Sequence, residues 1–336
     1  GSFMSLYMSL QAASPAEENA PTPEYSSFEE LYNALLRGIE SGVAWLHTEL
    51  DKRAPYHTPE APSTALVLSL FVEGCIERGI DFSKGGAYYD VEAIHMGGVQ
   101  DCANSLLAIK KLVYEDKLIT LSELITLLRK DWEGREDLRL YALNKLPHFG
   151  NDNAQSNEMT RRLLKDYIAI VRKYDHRADG VKCPPGVSTF GRECEWRCAR
   201  GATADGHKRG DILSPNLSPA PGADKNGATA AIRAFCSLPL TELAGSCALD
   251  IKLGPFMARG EENANAIMGL VKGFCELGGY FMQMDIVDNE ILKDAQLHPE
   301  KHPELAVRVS GWSARFVTLD PEWQEMVIKR ASAGGA

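Results

Sequence analysis

Between Val181 and Thr229 the chain carries too many glycines and prolines for any long helix, and this stretch divides the sequence into two parts of different character. Before it, apolar residues recur at helical spacing. Ser27 and Glu30 form a capping-box pair, and Leu31, Leu35, Ile39, Val43, Leu46 and Leu50 then mark one face of a long amphipathic helix, ended by the segment from Pro55 to Pro62. The pattern predicts an apolar helix from Thr64 to Arg78, one from about Asp101 to Glu115, one opened by Thr120 and Glu123, and one over 152–174 with Met159, Leu163, Tyr167, Ile170 and Tyr174 on one side. After the breaker-rich stretch, a helix through Ile267, Leu270 and Phe274 stops at Gly278-Gly279, and the residues from Tyr280 to Val287 read as a strand. A short helix from Asn289 to Gln296 follows, then a second strand from Leu305 to Val309. Asp320-Pro321 opens the last helix, with Trp323, Met326 and Val327 inward. Strand, helix, strand, helix predicts a parallel α/β arrangement.

Composition sets limits on this plan. The 336 residues, 44% apolar and 24% charged, suffice for a sizeable core. A formal charge of −10 without clustered Lys or Arg argues against a nucleic-acid partner. No apolar run reaches membrane-span length, and the opening residues lack a signal peptide's basic and apolar regions; the expectation is a cytoplasmic protein. Gly1-Ser2, ahead of Phe3 and Met4, reads as an expression scar. The eight cysteines (Cys75, Cys102, Cys183, Cys194, Cys198, Cys236, Cys247, Cys275) have neither zinc-site spacing nor the density of a disulfide scaffold, and the C-x3-C pair Cys194/Cys198 is a weak metal signal. Three regions follow: an extended Pro/Ala/Glu/Ser arm over 1–26, a mainly helical part over 27–180, and strands, Gly/Pro-rich loops and the C-terminal unit over 181–336.

The second strand runs into Gly311 within Arg308-Val-Ser-Gly-Trp-Ser-Ala-Arg-Phe316. A glycine after a strand ordinarily marks a bend. Here the whole stretch resembles the radical motif of the glycyl radical enzymes, the family of pyruvate formate-lyase and cobalamin-independent glycerol dehydratase. Five further segments resemble that family in its own order: Glu77 to Ala87 with its Gly-Gly pair, Ala103 to Val113, the loops Gly201 to Gly206 and Ser218 to Gly227, and Gly278-Gly279 with Asp294 to Glu300. The resemblance spans about 27–330.

The resemblance implies the C-terminal half of a ten-stranded α/β barrel with the N-terminal helices packed outside. It implies Gly311 as the catalytic residue, storing a radical installed by a radical S-adenosylmethionine activating enzyme, with no bound cofactor or metal. Glycine suits that role because, without a Cβ, the Cα radical flattens and delocalises between the flanking amide nitrogen and carbonyl. Ser310, Trp312, Ser313, Arg315 and Phe316 would support the radical loop, the two aromatics by excluding oxygen. Arg315 has a plainer reading as a surface or capping arginine. In the family the radical passes to a cysteine in a Gly-Cys-x-Glu loop. Gly74-Cys75-Ile76-Glu77 carries that pattern, but its flanks match a later family segment, and Cys75 on an apolar helix reads as a core residue.

The working cysteine is therefore expected on a second chain carrying the other half-barrel, and this polypeptide resembles the C-terminal portion of the enzyme, as a natural split subunit or an engineered fragment. The implied reaction is cleavage of a C–O, C–N or C–S bond in a small polar substrate. Alternatives are an arylacetate decarboxylase, a fumarate-adding enzyme, a spare-part radical domain and a non-catalytic assembly subunit. Asp205, His207, Asp211, Asn216 and Asp224 sit in the Gly/Pro-rich loops, where turn chemistry is their ordinary role. His95 and His148 flank Gly-rich turns and are read as structural.

Overall fold

The computed structural model describes residues 24–52, 64–175, 180–189, 197, 200–286, 288–309 and 313–333. Helix α1 (Phe28–Asp51) starts where the Ser27 hydroxyl accepts the Glu30 N–H at 3.2 Å. The Glu30 carboxylate closes the cap on Ser26 instead of Ser27, accepting from its N–H and hydroxyl at 2.8 Å each. The expected stripe is buried from Leu31 to Leu46, with Leu50 partly so. It packs on α7 (Ala154–Arg172), where Tyr32 Oη donates to Asp166 at 2.6 Å and the Arg162 guanidinium lies 3.9 Å over the Tyr32 ring. Each fully buried Leu or Ile in such a seam contributes about 1.5–3 kcal/mol.

The helix expected from Thr64 to Arg78 is broken. Two single turns, α2 (Leu66–Ser69) and α3 (Cys75–Arg78), take its place, separated by Gly74 at φ +99°. A Cβ there would stand 2.8 Å from both Gly86 O and Tyr88 N, so the chain folds back on itself at a point only glycine fits. Helix α4 (Val99–Ile109) continues as a π-helical segment over Lys110–Glu115, with Asp116 N–H bonded to Lys111 O at 2.8 Å. Helices α5 (Leu121–Arg129), opened by the full Thr120/Glu123 capping box, and α6 (Glu136–Lys145) follow.

Two parallel strand pairs sit beside these helices. Strand β1 (Ile94–Met96) pairs with β2 (Pro185–Val187), and β3 (Leu249–Leu253) with β4 (Met282–Ile286). A parallel bridge, Val187 to Cys247, sets β2 beside the residues entering β3. Between β2 and β3 lies α8 (Gly227–Cys236), and α9 (Glu261–Glu276) links β3 to β4. Tyr167 Oη ties α7 to the first pair, reaching Ile94 O at 2.6 Å and Gly186 O at 3.3 Å. One hydrophobic core runs from Phe28 to Phe274 and draws on both 27–180 and 181–336.

The parallel arrangement expected of the last two strands is not formed. Strand β5 (Ala306–Arg308) does not join β4; it pairs antiparallel with β6 (Ser313–Arg315), in the register Val307 opposite Ala314. Phe316 N–H extends the ladder to Leu305 O at 2.7 Å. Too few residues separate the two strands for a crossover, so the chain can only return as a hairpin. Helices α10 (Asn289–Leu297) and α11 (Pro321–Ala333) cover it, and Leu292, Val307, Val309, Phe316, Met326 and Val327 form a second, separate core with Ile212. Asp320 caps α11 through Trp323 N–H at 3.0 Å, as its Asp-Pro opening predicts.

Candidate active site

Strands β5 and β6 carry the described residues on either side of Gly311. Ser310, Gly311 and Trp312 themselves lie outside the described residues. Arg308 Nε donates to Gln283 Oε1 on β4 at 3.1 Å, and Gln283 Nε2 donates to Asp285 Oδ2 at 3.2 Å. Val309 is buried and closes one wall of a pocket whose floor is Asp250 and Lys252 of β3 with Gln283 and Asp285 of β4. The loop from Pro215 to Pro221 and Asp224 complete it. Burial raises the Asp224 carboxyl. The pocket is partly open, with a cavity of about 40 Å³, room for a few waters.

Asp250 is held in this floor by three hydrogen bonds. Its Oδ2 accepts from Asn216 Nδ2 at 2.7 Å and from the Ser218 hydroxyl at 3.1 Å, while its own N–H donates to Ser218 Oγ at 2.8 Å. Asn216 takes φ +45° and is fixed in turn by Ser188 Oγ at 3.0 Å and Thr189 N–H at 3.2 Å. From α4, Gln100 Nε2 donates to the carbonyls of Asn216 (3.0 Å) and Ser218 (2.6 Å), and Asp101 accepts the Ser214 hydroxyl at 2.6 Å. A helix buried nearly all round thus grips the central loop by its backbone and aims the loop's side chains at β3.

Behind the loop, Asp205 faces His207 Nδ1 at 3.2 Å and also accepts the Thr203 hydroxyl. Burial alone would lower the His207 imidazole and raise Asp205. Their mutual attraction wins, so His207 is raised and Asp205 lowered. Asp101, buried and repelled by Asp205, is pushed up to about 6. Asp211 accepts Lys208 N–H at 2.7 Å in a turn, as its loop position suggests. His95 on β1 is pushed down to about 4 by burial, and His148 is lowered likewise and bonds Ala142 O at 3.1 Å; both are core imidazoles.

The other motif residues divide. Phe316 is fully buried in the hairpin's core. Ser313 is exposed, and Arg315 pairs with Glu304 at 3.2 Å in an exposed bridge, a surface position as in its plainer reading. Cys75 is buried at the start of α3, and Glu77 turns its carboxylate to Gly74 N–H at 2.9 Å, occupied as a helix cap. Burial raises the thiols of Cys75 and Cys102, and pushes Cys247, 3.2 Å from Tyr280 Oη, up to about 11. Cys194 and Cys198 lie outside the described residues. Sequence reasoning missed Asp250, Gln283, Gln100 and Asp101. The usable signal at Asp250 was its place between Leu249 and Ile251, a polar position set between two buried apolar ones on a strand. Among the described residues, no helix is long and apolar enough to cross a membrane.

Comparison with known proteins gives the arrangement its context. A probable dehydratase, YbiW, of Escherichia coli (strain K12) is 34% identical over 79% of this chain and 34% of its own length. An isethionate sulfite-lyase of Nitratidesulfovibrio vulgaris is 33% identical over 71% of this chain and 30% of its own. The glycerol-bound structure of the B12-independent glycerol dehydratase from Clostridium butyricum superposes with a TM-score of 0.85 at 28% identity, over 98% of this chain and 42% of that one. The α/β fold is therefore shared along nearly the whole chain, which spans about a third of the length of the two curated relatives. A family described as Pyruvate formate lyase-like matches residues 8–195, reaching into the arm set apart over 1–26, and one described as Glycine radical matches residues 213–317, which includes Gly311. With more than half of its length matched by the first and its hairpin by the second, the chain belongs to the pyruvate formate lyase-like, glycyl radical family.

Proposed function

We propose that the chain carries the radical of an anaerobic glycyl radical lyase. An activating enzyme of the radical S-adenosylmethionine class removes a hydrogen atom from Gly311 Cα. The stored radical then takes hydrogen from a cysteine thiol on a partner polypeptide, and that thiyl abstracts hydrogen from the substrate. The observation that carries this reading is that the two flanks of the motif, Ala306–Arg308 and Ser313–Arg315, pair antiparallel, with the entering strand fastened to β4 through Arg308 and Gln283 and Val309 lining a polar pocket.

The lining of this pocket suits the polar groups of a small substrate. Two aspartates, a lysine and a glutamine form its floor, and no aromatic residue lines it among the described residues, which disfavours an arylacetate. The family relatives act as dehydratases and a sulfite-lyase, reactions in which a polar leaving group departs next to a radical centre. A partly open cavity of about 40 Å³ supplies a floor, and on this reading the remaining walls come from the partner, as half of a barrel would require. Each described cysteine is buried, partly buried or, at Cys275, exposed. None of them follows a glycine and precedes a glutamate in the family pattern except Cys75, whose glutamate is already occupied.

The test is turnover. The chain, assembled with a polypeptide bearing a Gly-Cys-x-Glu loop and activated without oxygen, is offered glycerol, isethionate and a hydroxylated amino acid. Elimination from at least one of them, abolished by Gly311→Ala, is expected. Equal turnover by the Gly311→Ala assembly would refute the reading.

A further inference from the structure

The protein engages only one oxygen of the Asp250 carboxylate. Asn216 Nδ2 and the Ser218 hydroxyl both donate to Oδ2, whereas Oδ1 accepts from none of the described residues. The side chain is half-buried and lines the cavity that Val309 also lines. A carboxylate oxygen can only accept, so one left open in a polar recess is matched by a donor. The orientation of that oxygen is set from behind. Asn216 and Ser218 are themselves buried, and the backbone carbonyl of each accepts from the Gln100 amide on α4. Thr189 Oγ1 accepts the Asn216 N–H at 3.0 Å, and Leu217 N–H donates to Ala248 O at 3.1 Å, which lays the loop along the start of β3. Two donors converging on Oδ2 fix the rotation of the carboxylate. Little ordering is left for binding to cost.

The surroundings favour a donor that is neutral or positive. In the β3–β4 register Asp250 stands opposite Gln283, an uncharged residue, and Lys252 stands opposite Asp285. Opposite charges facing each other across a strand pair offset one another, so Lys252 does not also balance Asp250. Asp224 adds a further carboxylate, and no other lysine or arginine lines the cavity among the described residues. A cavity of about 40 Å³ admits one end of a molecule, such as a hydroxymethyl or aminomethyl group. Gln283, the cross-strand neighbour of Asp250, also accepts from Arg308 on the strand that leads to Gly311. The recess and the motif are therefore joined through one side chain.

We infer that Asp250 is a specificity-determining residue, accepting through Oδ1 a hydrogen bond from a hydroxyl or ammonium group at one end of the substrate. The inference rests on the radical-lyase reading above and narrows its substrate class. The end that enters this recess donates hydrogen bonds, and an anionic end, a sulfonate or a carboxylate, is repelled.

The isosteric variant Asp250→Asn tests this by a reversal of sign. Asn216 and Ser218 would hold the new amide oxygen where Oδ2 was, turning the amide NH2 into the cavity and replacing an acceptor by a donor. The probes are diols that differ only in one terminal group: glycerol, its aminodiol analogue, propane-1,2-diol with a methyl end, and the dihydroxypropanesulfonate. Calorimetry reads their affinities for the assembled protein before activation. The wild type should bind glycerol or the aminodiol at least about tenfold more tightly than propane-1,2-diol, and the sulfonate least of all. The tighter of the first two tells whether the donor is a hydroxyl or an ammonium. Asp250→Asn should gain at least about tenfold for the sulfonate and lose the preference for the aminodiol. An unchanged order in the variant, or a wild type that binds neither donor-ended diol or does not separate them from propane-1,2-diol, overturns the assignment. Should the variant fail to fold, the wild-type series alone decides. The radical reading fails separately, by the absence of a Gly311-dependent paramagnetic signal on activation, which these affinities do not use.

Discussion

The body of the protein and its C-terminal hairpin unit are built on different scales. The body packs α1, α4, α7 and the two parallel strand pairs around one core from Phe28 to Phe274. The hairpin unit keeps its own small core between α10, α11 and β5–β6, and meets the rest at Ile212, the Arg308–Gln283 hydrogen bond, the Arg197–Glu322 ion pair at 3.4 Å and the pocket wall at Val309, among other contacts. A unit with a core of its own can open without the body unfolding. The two regions should therefore respond separately to mutation.

Phe316→Ala should give the largest effect, because a fully buried phenylalanine leaves a cavity in a core too small to relax: about 3–5 kcal/mol, confined to the hairpin unit. Hydrogen exchange would show faster opening over 288–333 with protection over 28–274 unchanged; loss of protection throughout would break the division. Leu163→Ala, at the fully buried centre of α7, should cost about 2–5 kcal/mol in a global denaturant transition instead. Gln283→Ala removes the fastening to Arg308 and should speed exchange across β5 with a penalty of about 1.5–3 kcal/mol, the range of a hydrogen bond to a charged group.

The buried Asp205–His207 pair sharpens the comparison through pH. His207 binds its proton more tightly folded than unfolded, so its contribution is full below the ordinary histidine value and is lost as pH rises through about 9. Asp205 contributes in the opposite sense: its share is present above the ordinary aspartate value and lost as pH falls towards about 2. Between pH 7 and 9.5 the body should lose on the order of 1–3 kcal/mol, a slope that His207→Gln flattens in denaturant titrations, while exchange in the hairpin unit stays level. The smallest effect belongs to Arg315→Ala. Its bridge to Glu304 is exposed on both sides, so a change of about 0–1 kcal/mol is expected in thermal melts.

Long amphipathic elements were legible because each carries its own evidence. The stripes of α1 and α7, the Thr120/Glu123 box of α5 and the Asp-Pro opening of α11 all formed where the pattern put them. Strands β1 and β2 were not legible: three residues cannot show a period, and Pro185-Gly186 reads locally as a breaker although the pair lies in a parallel ladder. The apolar run from Leu66 to Phe71 misled for a related reason, since apolarity without a repeat does not say which face is buried. At the site, the motif around Gly311 could be read from its own letters. Asp250, Gln283, Gln100 and Asp101 could not, because only the fold brings β3, β4, α4 and the central loop together.

Electron paramagnetic resonance of the assembled protein after anaerobic treatment with an activating enzyme tests the radical assignment most directly. The wild-type chain should give a doublet, from one unpaired electron coupled to the single hydrogen left on Gly311 Cα, and Gly311→Ala should give no such signal. A doublet that survives the substitution, or its absence from the activated wild-type assembly, would contradict the account.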